Sequence, residues 1–171
     1  SLLKSSPNLN DPYLEPPMTS QTRTITFANT KFLPVLLNWF LHIRRQRLPT
    51  PATVALDEPL HRYLTDRGFP SIMQPHHGSR NKPWELRTKV FSDLLDSGRS
   101  FLHSDADAVW LGNPWLSITA SDADITLSQG TIWPPDVVAK RGFVACCGFF
   151  HAKSNERTKN FFRRLASQTA M

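Results

Sequence analysis

Short β-rich apolar runs alternate along this chain with longer stretches in which apolar residues return every three or four positions. Thr22 to Ala28 is the first such run and reads as a strand. Asn29-Thr30 caps a helix whose Leu33, Leu36, Leu37, Phe40 and Leu41 form one apolar face, with Pro34 in the first turn and Arg44-Arg45-Gln46-Arg47 at the end. Ala52 to Leu56 reads as a second strand with Asp57 at its C-terminal end, and Glu58 to Arg67 as a helix closed by Gly68. Phe69 to Met73 is a third short strand, and Gln74 to Lys82 a polar loop. Pro83 opens a helix with a Leu86, Val90, Phe91, Leu94, Leu95 stripe that Gly98 stops. Phe101 to Ser104 is a buried strand; Asp124 to Ser128 and Gly142 to Phe150 are two more, and Trp133-Pro134-Pro135 lies in a loop between them. Ser154 to Ser167 completes the chain as a helix burying Phe161, Phe162 and Leu165. This alternation predicts an α/β fold: a Rossmann-type, mostly parallel sheet with right-handed crossovers and helices on both faces.

Residues 1–21, with Pro7, Pro12, Pro16 and Pro17 and no periodicity, read as a tail or linker, so the domain is expected over 22–171. A length of 171 residues, 40% of them hydrophobic and 20% charged, suits one globular domain with a real core. The net charge of +6 favours an anionic partner. No lysine/arginine run is interleaved with aromatics, which argues against nucleic acid and towards a phosphorylated small molecule. No apolar run approaches the roughly 20 residues that span a bilayer. An anchor upstream of Ser1 would place the protein in the secretory lumen or Golgi; without one, the cytoplasm is expected. The two cysteines, Cys146 and Cys147, are neighbours in an apolar run, which predicts two free, buried thiols in a strand.

The candidate chemistry sits where the fourth strand ends. Asp105-Ala106-Asp107 follows it at once, and in extended chain the two carboxylates would share one face. Paired like charges gain nothing there unless a cation sits between them and another anion. A magnesium-type ion suits that arrangement, taking one or two carboxylates, waters and phosphate oxygens. The bland alternative is an aspartate-rich turn opening a loop. His76-His77 is a poorer metal pair, because adjacent residues share neither a helix face nor a strand face.

Taken in order, Asn29, Asn38-Trp39, Val54-Ala55-Leu56-Asp57, Gly68-Phe69-Pro70, Lys89, Asp105-Ala106-Asp107-Ala108-Val109-Trp110, Asn113-Pro114, Asp122-Ala123-Asp124-Ile125 and Gly148-Phe149-Phe150 resemble the nucleotide-diphospho-sugar transferase family, which includes plant-type xylosyl- and arabinosyltransferases. The resemblance implies a GT-A fold and transfer of a sugar, with retention, from a nucleotide diphosphate donor such as a UDP-sugar to a glycan, protein or small-molecule acceptor. It implies Mn²⁺ or Mg²⁺ at Asp105 and Asp107, with Ala106 between them at the diphosphate and ribose. It further implies Phe27, Ala28, Asn29 and Asp57 along the nucleoside, and Lys89 at the diphosphate. Cys146-Cys147 departs from the family's Asn-Thr, which removes polar contacts expected on the acceptor or sugar side, and with the chain stopping at Met171 the domain is expected to be truncated at its C-terminal acceptor side, the acceptor half missing or supplied elsewhere. Two other readings are a nucleotide-sugar or glycan-binding remnant of the same fold and a phosphohydrolase using the first aspartate as nucleophile.

Overall fold

The computed structural model describes residues 22–75 and 82–170; the proline-rich tail and His76-His77 lie outside them. Six strands, β1 (Thr22–Ala28), β2 (Ala52–Ala55), β3 (Ser71–Met73), β4 (Ser100–Ser104), β5 (Ile125–Gln129) and β6 (Ala145–Ala152), form one sheet in the order β3-β2-β1-β4-β6-β5. Six α-helices connect them: α1 (Leu33–Arg45), α2 (Glu58–Thr65), α3 (Lys82–Asp96), α4 (Trp115–Thr119), α5 (Pro135–Arg141) and α6 (Glu156–Thr169). The pairs β1–β2, β2–β3 and β1–β4 are parallel, whereas β6 runs antiparallel to both β4 and β5. Five strands therefore point one way, as expected, and β6 alone is reversed. The connection from Gln129 to Ala145 leaves and re-enters at one end of the sheet, so β6 must return between its neighbours.

Strand alternation sorts the core into two layers. Ala28, Ala55 and Leu102 face α1, α2 and α4 through Leu36, Trp39, Phe40, Ile43, Leu60, Leu64, Trp115 and Ile118. Ile25, Phe27, Ala52, Val54, Phe101, Phe150 and Ala152 face α3 and α6 through Val90, Phe91, Leu94, Leu95 and Phe162. Burying each of these large side chains contributes about 1.5–3 kcal/mol, which holds the helices to the sheet. The buried face of α1 is rotated from the expected stripe: Trp39 and Ile43 are buried while Leu41 is 47% exposed. Leu41 sits roughly 100° round the helix from Phe40, and docking on the flat sheet selects the 36–39–40–43 edge instead. In α6, Phe162 is buried but Phe161 is half exposed. The short helices α4 and α5 carry too few turns for a period to show. Among the described residues no helix is long and apolar enough to cross a membrane.

Candidate active site

The C-terminal ends of β1, β2 and β4 lie side by side, the edge where an open parallel sheet presents ligands. Two aspartates arrive there by different routes. Asp57 leaves β2 in extended conformation and caps α2, its Oδ1 accepting from Leu60 N–H at 3.1 Å. The same carboxylate accepts from Thr30 Oγ1 at 2.7 Å and Thr30 N–H at 2.9 Å, tying the β1 exit to β2. Burial works against its charge, but the Thr30 and Leu60 donors outweigh it and hold the carboxyl below its usual range. Asn29 is a cap too, its side chain accepting from Phe32 N–H at 3.2 Å. Phe27 and Ala28 are core residues, on opposite faces of the sheet.

Asp105 stands just past β4. Its backbone N–H donates to Gly148 of β6 at 2.7 Å, so the reversed strand fixes where β4 ends. Its Oδ1 lies 3.2 Å from Arg87 Nη1 on α3 and 3.3 Å from His103 Nε2. His103 is fully buried among Phe27, Phe91 and Phe150. Burial depresses its pKa, overriding Asp105, so the imidazole is neutral. For Asp105, partial burial raises the pKa, but the neighbouring His103 and Arg87 outweigh it and the carboxylate stays ionised. A Cβ on Gly148 would fall 2.7 Å from Asp105 Oδ2, so any larger residue there would push the carboxylate aside.

The D-x-D segment is a turn rather than extended chain, which corrects the shared-face expectation. Ala108 N–H donates to Asp105 C=O at 3.1 Å, and Trp110 Nε1–H reaches back to Ser104 Oγ at 3.1 Å. The Trp110 indole is buried edge-on against Trp39 and Phe149. Trp110 thereby anchors the loop, with Ala106 buried beneath it and Asp107 exposed to solvent. Lys89 pairs instead with Asp93 at 2.6 Å on the exposed side of α3. Arg87, two residues earlier, is the cation that α3 brings to Asp105. The helix stripe carried that signal, since position 87 precedes Val90 and Phe91 by three and four residues. His103 shares strand parity with Asp105, a second signal that the sequence carries.

Cys146 and Cys147 are free thiols within β6, as expected, but they are not buried: Cys146 is half-buried and Cys147 exposed. The first half of β6 runs past the last paired residues of β4, Ser104 with Phe149, so no β4 strand flanks it there. Although Cys147 is exposed by surface area, the protein crowded around its sulfur desolvates it, and with the neighbouring thiol and Asp105 this pushes its pKa up, which makes it a poor thiolate nucleophile. Among the described residues no three of His, Cys, Asp and Glu converge as a closed metal cage.

Residues 48–171 match the sequence profile of the nucleotide-diphospho-sugar transferases. Relatives include beta-arabinofuranosyltransferase RAY1 of Arabidopsis thaliana, 22% identical over 88% of this chain and 30% of its own length. Arabinosyltransferase XEG113 of the same plant is 28% identical over 79% of this chain and 24% of its own length. The chain thus spans less than a third of either relative. The glycosyltransferase GlyE of Streptococcus pneumoniae TIGR4, solved in its apo form, superposes with a TM-score of 0.54 at 14% identity, covering 88% of this chain and 39% of that one. That likeness is one of fold, and it agrees with the GT-A-like arrangement of strands and helices.

Proposed function

The chain belongs to the nucleotide-diphospho-sugar transferase family, and on that footing we propose that it seats a nucleotide diphosphate sugar across the ends of β1, β2 and β4 for transfer to an acceptor. The observation that carries this reading is Asp105, held ionised at a strand end by Arg87 and His103. In our reading Arg87 offsets charge on the diphosphate, and the Asn29–Thr30 turn, braced by Asp57, lines the nucleoside. A Mn²⁺ or Mg²⁺ ion fits the donor set if it takes carboxylate from the exposed Asp107 and from Asp105, with the rest from diphosphate and water. When bound, such an ion acts as a Lewis acid that stabilises the departing nucleotide diphosphate. The residues present suit that open site and not a caged ion. The names of the plant relatives point to an arabinosyl group as the sugar and, with the resemblance, to UDP as carrier and to retention of configuration.

A second reading, a domain that binds the donor without transferring it, draws support from Cys146-Cys147 preceding Gly148 where the resembled family carries polar side chains. Calorimetry with UDP, with and without Mn²⁺, alongside a product assay with UDP-arabinose, separates the two. Metal-dependent UDP binding lost in Asp107→Ala supports the site; unaltered binding in Asp107→Ala and Asp105→Asn together removes it. Binding without any arabinosylated or hydrolysed product selects the second reading.

A further inference from the structure

Asp105 meets the Arg87 guanidinium at one nitrogen, and two aromatic rings stand against the rest of it. Arg87 Cζ lies 5.3 Å from the ring centroid of Phe27 and 5.3 Å from that of Trp84. Both distances fall within the roughly 6 Å over which a ring quadrupole attracts a cation. Phe27 is buried, with Phe91 and His103 packed edge-on against it. Trp84 is not a core residue: it stands in the first turn of α3, 49% exposed, outside the Val90, Phe91, Leu94, Leu95 stripe. It precedes Arg87 by three residues, which makes the two neighbours on the helix surface. The turn that carries it is anchored. The buried Thr88 donates its hydroxyl to Trp84 C=O at 2.8 Å and lies 2.7 Å from Thr169 Oγ1 of α6. A half-exposed indole gains little from burial, and its contact with the guanidinium is the one that bears on the site.

The chemical kind of these neighbours decides what Arg87 can still do. Among the described residues its side chain, 21% exposed, meets one acceptor, Asp105 Oδ1 at 3.2 Å from Nη1. A guanidinium carries a planar fork of N–H donors. A second carboxylate beside it would neutralise the charge and fill the fork. An aromatic face attracts the same charge and leaves the fork open. We propose that Trp84 is a positioning residue for the donor: it holds Arg87 beside Asp105 with N–H groups left for the diphosphate. Removing that wall returns rotamers to a long side chain, and binding must then order them again. The inference rests on the transferase reading given above and assigns Trp84 a role exerted through Arg87, without contact to the nucleotide.

The test is calorimetry of UDP and of pyrophosphate, each with Mn²⁺, on the 171-residue protein and its Trp84 and Arg87 variants. Trp84→Leu keeps apolar bulk without a ring, and should weaken both ligands about tenfold. Trp84→Phe restores a ring face and should recover affinity to within about threefold of the wild type. In an Arg87→Ala background the Trp84→Leu change should cost nothing further, because the two residues act as a unit. Unaltered affinity in Trp84→Leu, or no recovery in Trp84→Phe, overturns the positioning role and leaves the donor reading standing. Losses that simply add in the double variant also overturn it, in favour of direct contact between Trp84 and the ligand. Pyrophosphate bound without UDP strikes the nucleotide assignment, and its dependence on Trp84 still supports the positioning role. Binding of neither ligand by the wild type removes both.

Discussion

The two strand-end aspartates share a sheet edge and a charge, yet their surroundings assign them different work. Around Asp57 every short contact is local or structural: a helix cap at Leu60 and a brace to Thr30. Around Asp105 the partners are a cationic guanidinium from α3, the buried His103 on its own strand and Gly148 of the reversed strand. Donors that complete a helix end lower a carboxyl pKa for stability. A guanidinium and a buried neutral imidazole on a half-exposed carboxylate leave a charge available to a ligand. A shifted pKa at a strand end therefore does not by itself mark a site; the chemical kind of the partners does.

The widest separation of the two should come from Gly148→Ala and Arg87→Ala. The added Cβ meets Asp105 Oδ2 at 2.7 Å, so the carboxylate must shift, and its other oxygen is the one that meets Arg87. Stability should fall by about 1–3 kcal/mol from crowding, whereas UDP affinity falls on the order of 100-fold. Arg87→Ala should match that affinity loss with less crowding. Thermal melts beside calorimetry read both; an affinity loss no larger than the stability loss would erase the contrast.

Acid should act next most strongly, through two buried histidines on opposite faces of the sheet, His103 of β4 and His151 of β6. His151 is pushed down to about 4 by burial and by Lys153, and His103 is lowered by burial. Between the ordinary histidine value and those depressed ones the unfolded chain takes up protons that the folded chain refuses. Stability is therefore full above pH 6.5 and falls as pH drops towards about 4. The His151 contribution is on the order of 3 kcal/mol. Asp105 and Asp57, both lowered, add their own loss as pH falls further through their folded values. A denaturant midpoint measured from pH 7 to 4 should decline in the wild type and flatten in His151→Phe; an unchanged slope would contradict the neutral burial.

Much of this contrast was written in the sequence. The bounds of β1, the Val90–Leu95 stripe and the position of Asp105 followed from periodicity and from one strand-to-loop transition. The direction of β6 did not follow, because nothing in an apolar run states which neighbour it will pair with. An apolar run also predicts burial for the two thiols, whereas they sit in the first half of β6, which outruns β4. The pairing of Asp105 with Arg87 and His103 was legible in principle from helix and strand parity. Lys89 drew attention by family position while Arg87 lay on the packed side.

A smaller effect is expected at Asp57. Asp57→Ala removes a cap and the Thr30 brace, a loss of about 1–2 kcal/mol, seen as a lower melting temperature. Asp57→Ser, which caps α2 but cannot hold Thr30 through two oxygens, should recover about half of it. UDP affinity should drop only a few-fold in either, through the loosened Asn29–Thr30 turn. A drop as large as that of Arg87→Ala would show Asp57 in direct contact with the ligand.

The smallest expected effect is the sharpest control, because it uses the same helix as the largest. Lys89 and Arg87 are two residues apart, which on a helix is about 200° of rotation. Lys89 meets Asp93 at 2.6 Å with both side chains mostly in water. Exposed pairs of this kind contribute about 0.3–0.5 kcal/mol, because solvent screens the attraction and the side chains give up entropy. Lys89→Ala should therefore change stability by less than about 0.5 kcal/mol and leave UDP affinity unaltered, while Arg87→Ala leaves the Lys89–Asp93 pair intact and loses the ligand. Charge alone cannot explain such a split, since each variant removes one positive charge from the same helix. If both variants weaken UDP equally, the contribution of α3 is a general field, and the geometric distinction drawn around Asp105 fails.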